Sequence, residues 1–94
     1  MTRPRISDLR VKPASTREKR TGLRAYVSFL LDGPVRIDGT TVRLTVDGEL
    51  VLTYPARRDR HGIEHPYVLP VGERVRREIE REVLAALGYD GGRP

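Results

Sequence analysis

Arg57, Arg58 and Arg60 stand within four positions, between Pro55 and Pro66, with only Asp59 and Glu64 close enough in sequence to neutralise them. A guanidinium is planar, permanently charged and forked, so it grips a phosphate through two parallel hydrogen bonds. Three together suit contact with a polyanion; the competing reading is a solvated, charge-rich loop tip. A second group, Arg74, Arg77 and Arg81, recurs at the three- and four-residue steps that share one side of a helix. Glu73, Glu78, Glu80 and Glu82 interleave with it, which is also what solubility asks of a polar helix face.

Other chemistry has little to work with. His61 and His65 are the only histidines, and their spacing spans Gly62 and abuts Pro66, where no helical face aligns two ligands. No metal site is expected. The chain has no cysteine, hence no thiolate nucleophile and no disulfide. Neither a Gly-x-Ser-x-Gly turn nor a glycine-rich phosphate loop is present. The expectation is a protein that is not an enzyme and takes no cofactor and no small-molecule substrate.

The arginines need a frame, and the apolar spacing supplies one. Ile6 to Lys12 reads as a first strand with Leu9 and Val11 on one face, and Pro13 ends it. Ala14 to Gly22 is charged and aperiodic, which predicts a mobile loop. Leu23, Ala25, Val27, Phe29 and Leu31 then alternate with Arg24, Tyr26, Ser28 and Leu30; the odd face is the core face. Asp32-Gly33-Pro34 turns the chain, Val35 to Ile37 resumes it, and Asp38-Gly39 interrupts again. Val42, Leu44 and Val46 oppose Arg43 and Thr45, and Asp47-Gly48 predicts a two-residue type I′ hairpin into Leu50, Leu52 and Tyr54. After a short extended piece at Tyr67-Val68-Leu69 the period lengthens. Val71, Val75, Ile79, Val83 and Leu87 predict an amphipathic helix over Val71 to Leu87; Pro70 suits its start, but without a polar cap there the start can equally lie at Gly72, and Gly88 is placed to end it.

The expected fold class is therefore α+β: an antiparallel β-meander of about five strands followed by one C-terminal amphipathic helix. Residues 1–88 form a single domain and 89–94 a flexible tail; Met1 to Arg5 read as a flexible lead. That lead lacks the apolar stretch of a signal peptide, and no apolar run approaches a membrane span, so a cytoplasmic location without membrane contact is expected. The net charge is +5, and sixteen of the eighteen basic residues are arginine. Such a balance fits nucleic-acid, anionic-lipid or acidic-protein partners and separates none of them.

Taken in order, Ile6-Ser7-Asp8-Leu9-Arg10-Val11, Leu23-Arg24-Ala25-Tyr26-Val27-Ser28 running to Leu31-Asp32, Val42-Arg43-Leu44, Leu50-Val51-Leu52-Thr53-Tyr54-Pro55 and His65-Pro66 before the final helix resemble the septation protein SpoVG family. The likeness covers about residues 6 to 87. Family members carry methionine-proline, a small residue and two basic residues where this chain has Tyr54-Pro55-Ala56-Arg57-Arg58. The resemblance implies a small bacterial homodimer built as an antiparallel sheet and a C-terminal helix. It also implies site-preferring DNA binding, RNA binding in some members, and regulation of gene expression and of septation or sporulation. Basic residues of the family's C-terminal helix region are implicated in nucleic-acid contact, and Arg74, Arg77 and Arg81 occupy that region here. The chain departs from the pattern in a shorter Pro55 to His65 segment, a longer and more basic Ala14 to Gly22 loop, and an uncapped helix start. From a different class, the alternative is a non-enzymatic adaptor of the division machinery whose basic surface meets an acidic protein.

Overall fold

The computed structural model describes residues 3–89. Its elements are β1 (Ile6–Pro13), α1 (Thr16–Lys19), β2 (Leu23–Leu31), β3 (Val35–Leu44), β4 (Leu50–Thr53), β5 (Ala56–Arg58), β6 (Glu64–Pro66) and α2 (Glu73–Ala86). Strands β1-β2-β3-β4 lie antiparallel in chain order as one sheet, and β5 and β6 form a separate two-stranded ribbon. The class is the one the periodicity predicts: an α+β chain with an antiparallel sheet and a C-terminal helix.

The polarity of the sheet is set in β2. Leu23, Ala25, Val27 and Phe29 are buried, and the residues between them are not. From β3 and β4 come Ile37, Val42, Leu50 and Leu52, and α2 closes the same face with Ile79, Val83 and Leu84. Only one face of the sheet is covered in this way. The other stays open, which decides where charge can collect.

Two bulges keep the inward set inward. In β1 the pairing slips between Ser7 and Arg10, with Asp8 at φ 45°, so Ile6 pairs with Leu31 but Val11 with Val27. Leu9 reaches the core, whereas Val11, expected beside it, is exposed. In β3, Asp38-Gly39 does not end the strand as expected; it inserts an extra residue, so that Ile37, Thr40 and Val42 all point inward. The expected strands on either side of it are one, leaving four in the main sheet.

The turn after β3 also differs from expectation. Gly48 alone has positive φ, Gly48 N donates to Thr45 O (3.0 Å), and Thr45 N donates to Glu49 O (2.8 Å). That is a type I turn closed by a glycine bulge rather than type I′. Val46 occupies the turn and is fully exposed, not a core residue. Thr45 fastens the turn, its Oγ1 accepting from Glu49 N (3.1 Å).

The stretch from Ala14 to Gly22 is ordered, contrary to the mobile loop expected. Ser15 and Glu18 form a reciprocal capping box: Glu18 N donates to Ser15 Oγ (3.2 Å) and Ser15 N donates to Glu18 Oε1 (2.9 Å). The Ser15-x-x-Glu18 spacing was the signal for it in the sequence. Ala14 is buried and its N–H donates to Arg24 O (3.1 Å), tying the segment to β2. At the other end of the sheet Arg5 is also held, its N–H donating to Asp32 Oδ1 (3.0 Å).

Helix α2 starts later than the periodicity predicts. Gly72 caps it at φ 87° without a side-chain bond, and Val71 lies outside the helix, exposed. Its C-terminus is closed by a Schellman motif: Tyr89 N donates to Leu84 O (2.9 Å), Gly88 N to Ala85 O (3.0 Å), and Gly88 has φ 89°. Tyr89, expected as the first tail residue, thus packs on the core; Asp90 to Pro94, with Met1 and Thr2, lie outside the described residues. The helix also guards the sheet's free edge. Glu80 Oε2 accepts from Leu52 N of edge strand β4 (3.2 Å), and Arg76 holds Glu80 from behind (3.1 Å).

Candidate functional site

Of the three ribbon arginines only Arg60 lies in a loop. Arg57 and Arg58 belong to β5, opposite His65 and Glu64 of β6, and Arg60 is at the tip of the ribbon they form. The tip repeats the turn found after β3. Gly62 N donates to Asp59 O (3.0 Å), Asp59 N donates to Ile63 O (3.0 Å), and Gly62 has φ 80°. Here Asp59 is the fastener: its Oδ1 accepts from His61 N (2.8 Å) and Ile63 N (3.0 Å), while Oδ2 meets His65 Nε2 at 2.7 Å. The His65 contact first, and the backbone donors after it, hold the Asp59 carboxyl below its ordinary value.

One consequence concerns charge. The only carboxylate among the three arginines spends its oxygens on the turn and forms no ion pair with any of them. Arg58 pairs across the ribbon with Glu64 (3.0 Å), with both side chains well exposed, a pair worth little in water. Arg57 and Arg60 have no acidic partner among the described residues and are exposed. Successive strand residues alternate faces, so Arg57 and Arg58 point to opposite sides of the ribbon instead of forming one cluster. The backbones of β5 and β6 keep clear of those of the four-stranded sheet and α2, and the ribbon meets the sheet at its root, where Ala56, Arg58 and Glu64 face Thr41, Arg43 and Thr53 across an open depression.

The helix group is exposed but occupied. Arg77 pairs with Glu73 (3.1 Å) and Arg74 with Glu78 (3.5 Å), while Arg81 has no acidic partner among the described residues. Arg76 bonds both Glu73 and Glu80, and its bond to Glu73 holds that carboxyl below its ordinary value. Four arginines face four glutamates along α2, so the helix contributes no net charge. The backbones of the ribbon and α2 do not approach one another, so Arg57, Arg58 and Arg60 are not brought together with Arg74, Arg77 and Arg81.

No protein-family model matches the chain, and no curated protein is similar enough to stand as a relative. The resemblance drawn from the order of its motifs remains a resemblance, and the site has to be argued from its own chemistry. Among the described residues no group of three or more His, Cys, Asp or Glu is placed to hold a metal. No helix among them is long and apolar enough to cross a membrane.

The open face of the sheet is the site that reasoning from the arginine clusters missed. Cross-strand partners share a face, so Lys12, Tyr26, Thr41 and Thr53 form one row across all four strands, with Arg10 beside Ser28 and Arg43 beside Val51. Asp8 takes both Arg10 and Arg36, whereas Lys12 and Arg43 have no acidic partner among the described residues. Between Arg43 and Arg58, at the root of the ribbon, lies an open depression of about 630 Å³, with the Thr41 and Thr53 rows on its floor. On the covered side, a narrower apolar cleft of about 290 Å³ runs between Phe29, Ile37, Ile79 and the segment Val68 to Val71. The alternation of β2 named the open face. What hid the basic residues was their distribution over three strands, which only pairing brings together.

Proposed function

We propose that the chain is a nucleic-acid-binding regulatory protein, acting in the cytoplasm as a homodimer. Following the resemblance, it would be a bacterial regulator of gene expression and of septation or sporulation that binds preferred DNA sites and, in a second mode, RNA. The observation that carries the reading is the two-stranded β5–β6 ribbon, on which Arg57 and Arg60 are exposed and have no acidic partner among the described residues. A two-stranded ribbon is narrow enough to enter the major groove of a duplex, and arginines on both of its faces reach phosphates to either side. Arg58, Arg74 and Arg77 supply further cations whose surface ion pairs a polyanion displaces at little cost, and Arg81 on α2 has no acidic partner among the described residues.

The test is a titration of labelled duplex DNA and of single-stranded RNA between about 50 and 200 mM salt, where phosphate contacts lose affinity steeply. Arg57→Ala/Arg60→Ala is expected to weaken binding and flatten the salt dependence by about 1.8 on duplex, at 0.9 for each contact removed. Absence of binding at low salt would sink this reading and favour an adaptor that meets an acidic protein.

A further inference from the structure

Glu18 is the one carboxylate between Lys12 and Arg24, a span that also carries Arg17, Lys19 and Arg20. Its oxygens are committed: Oε1 accepts from Ser15 N, and Oε2 accepts the Tyr26 hydroxyl proton. The Tyr26 bond first and the Ser15 bonds after it hold the Glu18 carboxyl below its ordinary value, so it stays ionised and attached. The result is a one-turn helix whose acid faces the sheet and whose Arg17, Lys19 and Arg20 are exposed. Arg17 and Arg20 are one turn apart. The Glu18–Tyr26 bond docks this turn on the open face, beside Lys12 and close enough to Arg43 for both cations to be felt there.

We propose that α1 and the adjoining open sheet face form a second phosphate-binding surface, with Arg17, Arg20, Lys12 and Arg43 as its contacts. The proposal rests on the nucleic-acid reading above and extends it from the ribbon to the body. Strands about 4.8 Å apart make the row from Lys12 to Thr53 roughly 14 Å wide, room for contact with more than one phosphate of a strand. Arg43 borders the depression that leads to Arg58, so this surface is continuous with the root of the ribbon. Tyr26 is the one aromatic in the row, and its hydroxyl is engaged by Glu18. With a single aromatic in the row and four cations around it, contact is chiefly with the phosphodiester backbone. The other acids on this face are also committed, Asp8 to Arg10 and Arg36, and Glu64 to Arg58.

The experiment compares Arg17→Gln/Arg20→Gln/Arg43→Gln with the wild-type chain, using a fluorescein-labelled duplex and a single strand of equal length. The logarithmic salt slope is expected to fall in magnitude by about 2.7 on duplex or about 2.1 on a single strand, and the arm with the larger affinity loss identifies the form bound. Arg17→Lys/Arg20→Lys/Arg43→Lys keeps the charges and is expected to retain the slope. Retention by the lysine variant, with a loss in the glutamine variant, excludes misfolding as the cause. If the wild type binds and Arg57→Ala/Arg60→Ala flattens its slope while the glutamine variant leaves it unchanged, the second surface is refuted and the ribbon reading stands. An equal loss in the lysine and glutamine variants also refutes it. If the wild type binds neither probe, both readings fall together.

Discussion

Single side chains carry most of what this sequence conceals. Thr40 is fully buried, and its hydroxyl has no hydrogen-bond partner. An unmet buried hydroxyl costs free energy that a methyl of the same shape does not. Thr40→Val is therefore expected to raise stability by about 1 kcal/mol, or roughly 4–8 °C in Tm for a domain of this size, in a thermal melt followed by circular dichroism. An unchanged or lower Tm would mean that the hydroxyl is satisfied. From sequence, Thr40 and Thr41 are indistinguishable. The bulge at Asp38-Gly39 turns one into the core and the other onto the open face. The arginines show the same limit. All sixteen have one charge each, and only the fold separates Arg76, clamped between Glu73 and Glu80, from Arg57, which has no acidic partner among the described residues.

At the scale of elements, β2 and α2 were legible because their apolar period is long and uninterrupted. The ribbon was not. Strands of three residues give no period, and Ala56-Arg57-Arg58 has no apolar alternation to read. What makes them strands is the turn between them, in which Asp59 and Gly62 repeat the work of Thr45 and Gly48. Asp59 is thus the residue on which the ribbon depends. Its carboxyl releases its proton at lower pH in the folded chain than in the unfolded one, so its contribution is complete above the ordinary value near 3.8 and fades as pH falls through the lower folded value. Amide exchange and chemical shifts of His61, Gly62 and Ile63 should accordingly loosen together under acid, ahead of the amides of β2. Asp59→Ala should produce that loosening already at neutral pH with β2 unaffected. Identical exchange in the two proteins at neutral pH would remove Asp59 from this role.

For the molecule as a whole, surface and charge are unevenly spent. Helix α2 is neutral, and the excess positive charge lies on α1, the open sheet face and the ribbon. That distribution could not be read from the net charge, because it follows from which carboxylates the fold consumes as caps, turn fasteners and edge guards. The surface is also large for the mass. The chain exposes 6810 Å², where a compact monomer of 10.7 kDa exposes about 5,500 Å². The difference of about 1,300 Å² is larger than the roughly 800 Å² that one partner gives up in a standard interface. Two of the exposed apolar side chains, Leu69 and Val71 at 62% and 86%, sit together on the lip of the cleft that leads to Phe29 and Ile79. In the homodimer proposed here, a two-fold contact at this lip buries each of them twice and leaves the open sheet face and ribbon of both copies free for nucleic acid. Light scattering on a sizing column should give twice 10.7 kDa for the wild type. Leu69→Asp/Val71→Asp should give a single chain with its thermal circular dichroism intact, since neither side chain supports the monomer core. A wild type that elutes as a monomer would refute the dimer. A dimeric double variant would move its interface elsewhere, with the exposed backbone edge of β1 as the next surface to probe.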